Sequence, residues 1–118
     1  MRELDAAVEV YLYTRPCDMR CGFDTLGKKV EQYFNRRVVA GGLYVFFSRS
    51  KDRVKILYWD KDGFALWCKR LEKGVFRISS QNDTEQMSGV DLKLLLEGMD
   101  LERIKFRNKC SKGIAQVA

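Results

Sequence analysis

The stretch from Leu43 to Phe76 constrains the fold most strongly, because short runs of β-branched and aromatic residues alternate there with turn sequences. Asp60-Lys61-Asp62-Gly63 is typical of a tight hairpin turn, since Asp and Gly accept the backbone angles that such turns require. Strands at intervals of about ten residues predict an antiparallel β-meander. The predicted strands are Leu43 to Ser48, Val54 to Trp59, Phe64 to Arg70 and Val75 to Ile78.

The segment before this stretch predicts one more strand and a long helix. Val8 to Tyr13 alternates and is rich in β-forming residues, which is typical of a strand. After Pro16, Asp18 is a suitable N-cap for a helix that continues to about Asn35. An apolar stripe predicts that this helix packs on the sheet with Phe23 buried, so that Phe23→Ala would cost about 3–5 kcal/mol. The stripe consists of Met19, Phe23, Leu26, Val30, Tyr33 and Phe34.

The C-terminal part predicts a shorter helix. Ser79 to Gln86 is polar and indicates a loop, and Ser88 with Asp91 resembles a capping box for a helix from Gly89 to about Glu97. Beyond residue 100 we expect a weakly ordered tail with a helical turn at Leu101 to Phe106. The predicted fold is therefore α+β: an antiparallel β-meander sheet with one long amphipathic helix packed on a face and a shorter C-terminal helix. Residues 1–102 would form a single domain, and residues 103–118 a basic tail.

Positive charge is concentrated near the C-terminus. The chain carries 22 Lys and Arg and 16 Asp and Glu, which gives a net charge of +6. Five of the cations and none of the acids follow Glu102, so the preceding residues carry only +1. Basic arms of this kind bind phosphate backbones by releasing counterions, and they also serve solubility. The composition leaves these two roles as equal alternatives.

Basic residues also lie within and beside the predicted strands. Period-two alternation places Arg53, Lys55 and Trp59 on one face of their strand, opposite Val54 and Ile56. Such a face suits phosphate contacts, but an ordinary solvated face would look the same. Trp59 and Trp67 could stack on unpaired bases, although core packing is the favoured interpretation. The candidate nucleic-acid-binding residues are Arg20, Arg49, Lys51, Arg53, Lys55, Lys69, Arg70, Arg103, Lys105 and Arg107.

Arg20 is a candidate because it lies where the long helix is predicted to begin. The free N–H groups at a helix N-terminus attract phosphate, and a guanidinium would add a bidentate donor. The favoured alternative is that Asp18 caps the helix and that Arg20 pairs with a neighbouring acid.

The sequence does not predict an enzyme, a metal site or a cofactor. It contains no histidine and lacks a nucleophile elbow and a phosphate-binding loop. Asp60 and Asp62 are explained by their turn. Cys17, Cys21, Cys68 and Cys110 lack the paired spacings of zinc modules, so we expect reduced thiols that fill the core. No apolar run approaches the roughly 20 residues of a membrane span, and the first nine residues include three acids, which together predict a cytoplasmic protein without a membrane partner.

Three phrases resemble a known family. Cys17 to Leu26 reads CDMRCGFDTL, and Asp52 to Phe76 contains DRVKILYWDKDGFALW. A closing phrase, LLLEGMD, occupies Leu94 to Asp100. In this order they resemble the TnpB-type product, the second open reading frame, of insertion sequence sixty-six. The resemblance covers about Val8 to Asp100, and departs from the family at Cys17 and Cys21, where Thr and Lys are usual, and in the extended basic tail.

The resemblance implies a small accessory protein of transposition, encoded beside a separate and larger transposase. Together with the basic residues, it predicts a non-catalytic protein that binds DNA, the transposase, or both. One alternative is a pure protein–protein adaptor without affinity for nucleic acid. Another is a divergent metal-dependent nuclease that would use acids such as Asp18, Asp24 and Glu97. A homo-oligomer is left open.

Overall fold

The computed structural model describes residue 1 and residues 3–117, with side chains described as far as Cys110. Five strands, three α-helices and one short 3₁₀ helix make up this part of the chain. In chain order they are β1 (Glu9–Pro16), α1 (Phe23–Phe34), the 3₁₀ helix (Val38–Ala40), β2 (Leu43–Phe47), β3 (Arg53–Asp60), β4 (Gly63–Arg70), β5 (Thr84–Ser88), α2 (Gly89–Leu96) and α3 (Leu101–Val117).

The five strands form one sheet in the order β4-β3-β2-β1-β5. β2 pairs antiparallel with β3, and β3 pairs antiparallel with β4, so the α+β class and the central meander are confirmed. β1 lies parallel to β2, whereas β5 pairs antiparallel with β1. The prediction of a wholly antiparallel sheet is therefore wrong. The parallel pair arises because α1 and the 3₁₀ helix carry the chain back along the sheet before β2 begins.

The last predicted strand of the meander, Val75 to Ile78, is not a strand. Phe76 and Ile78 are buried, at 1% and 2% exposure, whereas Val75, the residue before Phe76, is exposed. The alternation that resembles a strand thus comes from packing under the sheet and not from pairing within it. β5 forms instead from polar residues that the sequence predicts as a loop as far as Gln86, because β1 offers a free edge to pair with.

The core has two parts, one on each face of the sheet. On one face Val10, Leu12, Val45 and Ile56 pack with residues of α2 and α3 such as Leu92. The opposite face packs against α1. Its buried members are Tyr11, Tyr44, Phe46 and Leu57 from the strands, Leu26 and Val30 from α1, and Cys17 and Val38. All five residues of β2 are buried, since this strand lies at the centre of both layers.

α1 is shorter than predicted and begins at Phe23, not Asp18. Its N-cap is Gly22, which forms no side-chain cap. The helix ends at Phe34, and the C-cap Asn35 has the left-handed conformation with φ of 53°. Leu26 and Val30 are buried on the sheet as the stripe predicts, but Phe23 is 47% exposed. The prediction of a buried Phe23 is therefore wrong. The twelve-residue α1 is also not the long helix of the fold, since α3 has seventeen residues.

The two C-terminal helices cover the other face of the sheet. α2 begins at Gly89 as predicted, and the Ser88 hydroxyl accepts a hydrogen bond from the Asp91 N–H at 3.3 Å. α3 extends well beyond the predicted turn, and its Leu101 and Ile104 are buried. The division into a domain of residues 1–102 and a weakly ordered tail stays a prediction. No helix in the described ranges combines the length and the apolar character that crossing a membrane requires.

An ion pair joins α3 to β5 and gives the fold a specific dependence on pH. Lys105 Nζ lies 2.6 Å from Glu85 Oε2, and the Glu85 side chain is only 12% exposed. Burial acts to raise the pKa of Glu85, but hydrogen bonds from Lys105 and Ser80 outweigh it and leave the pKa below its ordinary value. Because the pKa is lowered on folding, Glu85 stabilises the folded state at pH values above its ordinary pKa of 4.5. This stabilisation is lost as the pH falls through the folded-state pKa.

We therefore expect Lys105→Ala to lower the free energy of unfolding at pH 7 by about 1 kcal/mol or less, since the Lys105 side chain is 44% exposed and solvent screens the pair. Denaturant titrations from pH 7 down to about pH 3 should show the variant and the wild type converging in acid. Lys109→Ala on the same helix, also at an exposed position, is the matched control. A Lys105→Ala difference that persists unchanged in acid would contradict the pairing.

Candidate nucleic-acid interface

One end of the sheet collects most of the predicted basic residues. β1 and β2 end there, β3 begins there and β4 ends there, because β1 and β2 are parallel and the later strands alternate in direction. We call this end, with its adjoining loops, the basic end. It carries seven of the ten candidate residues: Arg20, Arg49, Lys51, Arg53, Lys55, Lys69 and Arg70.

The strand register arranges four of these cations around one depression. Arg53 lies directly opposite Arg70, and Lys55 lies opposite Cys68, on the face that packs against α1. Lys69 is opposite Val54, so the register places it on the other face. The predicted alternation of β3 is thereby confirmed, while the four cations are divided between two faces. The depression has a volume of about 320 Å³ and is lined by Met19, Arg53, Val54, Lys55, Cys68, Lys69 and Arg70.

The Arg53–Arg70 pair is the most informative contact of the basic end. Like charges directly opposite one another on neighbouring strands destabilise a sheet. Neither guanidinium forms an ion pair with a carboxylate in the part of the chain that the structure describes. Both residues are exposed. An anion seated between them would relieve the repulsion, which makes this pair a candidate phosphate contact.

Lys55 connects the sheet to the start of α1. Its ammonium donates a hydrogen bond of 2.9 Å to the carbonyl of Cys21, the residue before the Gly22 N-cap. No side chain among the described residues caps α1, so the first N–H groups of the helix remain available next to Lys55. Helix N-termini favour anions.

Arg20 is engaged with Asp18, as the favoured interpretation predicts. Its Nη2 lies 2.7 Å from Asp18 Oδ2, and its backbone N–H donates to Asp18 Oδ1 at 2.8 Å. These hydrogen bonds lower the pKa of Asp18 to about 2. The prediction that Asp18 caps α1 is wrong, because its side chain closes a local turn two residues on and does not reach the helix.

Arg49 and Lys51 lie in the loop between β2 and β3, and both are exposed. The loop is held by its serines: Asp52 accepts hydrogen bonds from Ser50 and Ser48, and the bond from Ser50 is the main cause that lowers the pKa of Asp52. The one acid of this loop is thus turned toward hydroxyls, and the two cations face solvent.

Of the three remaining candidates, all on α3, Arg107 lies away from the basic end. Arg107 lines a depression with Glu9 and Ser88, at the opposite end of the sheet where β1 begins and β5 ends. Lys105 is paired with Glu85, and Arg103 lies beside Asp100 and Arg77. The side chain of Lys112, which also belongs to the basic tail, lies outside the described residues. The predicted set therefore extends beyond the basic end, and its most distant member is Arg107.

An apolar groove beside α1 is a second feature, which the sequence does not predict. It has a volume of about 660 Å³. Phe23, Val39 and Phe64 line it at 47%, 49% and 43% exposure, together with the half-buried Trp59. Trp59 packs edge-on against Phe64 at 5.3 Å and donates to the Lys61 carbonyl. Trp67 behaves as predicted and packs against the core on the other face.

The comparisons with known proteins agree with the resemblance seen in the sequence. The family described as IS66 Orf2 like protein matches residues 8–106. The chain belongs to this family. It is 35% identical over 94 residues to the uncharacterized protein y4hO of Sinorhizobium fredii (strain NBRC 101917 / NGR234), which covers 79% of this chain and 82% of that one. It is 31% identical over 99 residues to the uncharacterized protein y4jC of the same strain, covering 83% and 85%. No solved structure matches.

Membership of the IS66 Orf2-like family makes this chain an accessory protein of an insertion sequence. The fold brings two of the family phrases together at the basic end. Met19, from the first phrase, and Arg53 and Arg70, from the second, line the same depression. The closing phrase, from Leu94 to Asp100, forms the end of α2 and the turn into α3.

The acids that a nuclease would need are scattered over the described residues. Asp18 is paired with Arg20, Asp24 lies on the rim of the groove, and Glu97 ends α2. Asp60 ends β3, and Asp62 lies in the turn between β3 and β4. Within the described ranges, no three acids, cysteines or histidines lie close enough to hold a metal ion. The geometry gives no support to the nuclease alternative.

The thiols are free and differ in exposure. Cys17 is buried as predicted, whereas Cys68 and Cys110 are exposed, so the prediction that these two thiols fill the core is wrong. Burial, with the neighbouring Cys21 as a smaller cause, raises the pKa of the Cys17 thiol to about 11. Since the thiolate is the reactive form, we expect iodoacetamide at pH 8 to modify Cys68 and Cys110 first and Cys17 last. Peptide mass spectrometry over time checks the order, with a denatured sample as control, and equal rates for Cys17 and Cys68 would contradict it.

Proposed function

We propose that this protein is a non-catalytic accessory factor of transposition that binds the DNA backbone through its basic end. The observation that carries the proposal is the Arg53–Arg70 pair, two cations held opposite each other without a carboxylate partner in the described part of the chain. Lys55 and the uncapped start of α1 extend the same surface. Phosphate contacts of this kind carry little sequence information, so we expect weak binding with little sequence preference.

The test is a titration of the purified full-length chain with duplex DNA over a series of salt concentrations. If about five phosphates are neutralised, the logarithm of the affinity should fall with the logarithm of salt with a slope of about −4.5. That slope corresponds to a loss of about 500-fold between 50 and 200 mM salt. Absence of binding at low salt would refute the proposal, and an affinity that ignores salt would exclude a backbone interface.

A second candidate function, binding to the transposase of the element, is favoured by the apolar groove. Monomeric proteins rarely expose several large apolar side chains side by side, and patches of this kind mark interaction sites. Phe23, Val39 and Phe64 belong to three different elements, so the groove is a continuous surface built by the fold. As a protein interface it would serve an accessory factor that joins transposase to DNA.

Co-purification with the transposase tests this function. We expect Phe64→Ser with Val39→Ser to abolish capture of the transposase and to leave DNA binding within about twofold, since neither position lies at the basic end. Ser is polar and small, so it removes the apolar surface without adding charge. Lys28→Ser with Glu31→Ser on the groove rim is the control for solvent-facing changes. Unchanged capture by the Phe64/Val39 variant would exclude the groove as the contact.

A further inference from the structure

The outer edge of β4 is open and long. β4 has eight residues and is the last strand of the sheet, paired with β3 on one side only. Because hydrogen-bonded pairs alternate along an antiparallel ladder, every second residue of β4 directs its N–H and C=O away from β3. No strand among the described ranges accepts these groups. An edge of this length is a template for another strand.

Most of β4 also lacks the features that usually protect an edge. Its first six residues, Gly63 to Cys68, contain no charge and no proline. The other edge strand, β5, is shorter, with five mostly polar residues. After β4 the chain turns back beneath the sheet, where the Leu71 and Phe76 N–H groups donate to the carbonyls of Asp52 and Lys51. The following segment is therefore directed away from the edge and leaves it uncovered.

Charge is distributed unequally along this edge. Asp60 and Asp62, with Lys61 between them, give the turn where β4 begins a net charge of −1, whereas Lys69 and Arg70 lie where β4 ends. If two copies of β4 paired antiparallel, each acidic turn would lie beside the Lys69 and Arg70 of the other copy. Parallel pairing would instead put like charges together. Leu66 and Trp67, in the middle of the strand, are half-buried, and pairing would cover the rest of their apolar surface.

We propose that a second copy of this chain pairs antiparallel with β4 and joins the two sheets into one continuous ten-stranded sheet. The interface is self-complementary, as a two-fold axis requires, because the acidic end of each strand meets the basic end of the other. Backbone hydrogen bonds supply the pairing and the end charges select the antiparallel orientation. The dimer is independent of DNA, and it uses the edge of the sheet and not the groove.

Charge reversal tests the orientation directly, by sedimentation of the full chain without nucleic acid. Asp60→Lys with Asp62→Lys should raise the dimer dissociation constant by about tenfold or more, and so should Lys69→Glu with Arg70→Glu. The four changes combined should restore the dissociation constant to within about threefold of the wild-type value, since opposite charges then meet again. The control is Glu97→Lys with Glu102→Lys, at exposed positions away from β4. It changes the net charge as much as Asp60→Lys with Asp62→Lys does, and it should leave the dimer dissociation constant within about twofold of the wild-type value.

Hydrogen exchange locates the interface. On raising the protein concentration, the backbone amides between Phe64 and Arg70 that point away from β3 should become protected, while those of α3 do not change. A chain that stays monomeric up to about 100 μM, a dimer indifferent to both reversals, or protection confined to other elements would each overturn the proposal. The variant carrying Asp60→Lys and Asp62→Lys keeps every cation of the basic end, so loss of the dimer and loss of DNA binding are separable.

Discussion

Phe76→Ala is expected to lower the free energy of unfolding by about 3–5 kcal/mol, the cost of removing a large buried ring. Phe76 is 1% exposed and packs against Phe47 with ring centroids 5.5 Å apart. It belongs to no strand or helix, yet its N–H is bonded to the Lys51 carbonyl at 2.7 Å. The segment therefore has little room to collapse into the space left by the ring. Denaturant titration at neutral pH, followed by circular dichroism, measures the change.

Phe23→Ala is the matched control, with the same chemical change at a residue that is 47% exposed. We expect it to cost less than about 1 kcal/mol, because most of the ring already contacts water. This smaller cost replaces the cost of about 3–5 kcal/mol that the apolar stripe of the helix predicts for Phe23→Ala. If the two variants were equally destabilised, or if Phe76→Ala had little effect, the assignment of these two rings to core and surface would be contradicted.

The local features of the fold could be predicted where neighbouring residues determine them. β2, β3 and β4 begin and end within one residue of their predicted bounds, because alternation and the Asp-Gly turn act over short distances. The same holds for α2 and its Ser88 cap. Asp18 shows the limit: an Asp that closes a turn and an Asp that caps a helix look alike in sequence, since both bond an N–H two or three residues ahead.

Features that depend on distant contacts could not be predicted. Nothing near β1 specifies that it lies parallel to β2, and the polar β5 becomes a strand only because β1 provides a partner. Alternation correctly placed Arg53 and Lys55 on one face, and the hairpin register then added Arg70. The separation of Arg107 from these cations depends on the path of α3 across the sheet. The groove escaped prediction because Phe23, Val39 and Phe64 are far apart in sequence.

Arg53→Glu with Arg70→Glu is expected to weaken DNA binding by about 10- to 100-fold at low salt and to reduce the salt slope by about 2, since two phosphate contacts are lost. Both residues are exposed, and removing a repulsive cross-strand pair of cations should not destabilise the sheet. The two new carboxylates repel each other in the same way, so Arg53→Glu alone, which sets a carboxylate opposite Arg70, is the stable intermediate variant. Fluorescence anisotropy with a labelled duplex at several salt concentrations measures both quantities.

The control must change the net charge equally while keeping the seven cations of the basic end, and α3 provides it. Arg103→Glu with Arg107→Glu makes the same change in net charge at two exposed positions of α3, and Arg107 lies at the opposite end of the sheet. It is a sharper comparison than deleting the chain after Glu102, because a deletion would also remove the buried Ile104 and damage the core. We expect the α3 variant to lose less than about fivefold in DNA affinity.

Equal losses of affinity in the two variants would show that net charge alone governs binding, and a larger loss in the α3 variant would move the interface to that helix. A selective loss at Arg53 and Arg70 requires a localised phosphate contact, because long-range attraction between exposed charges is largely screened beyond about 10 Å at 0.1 M salt.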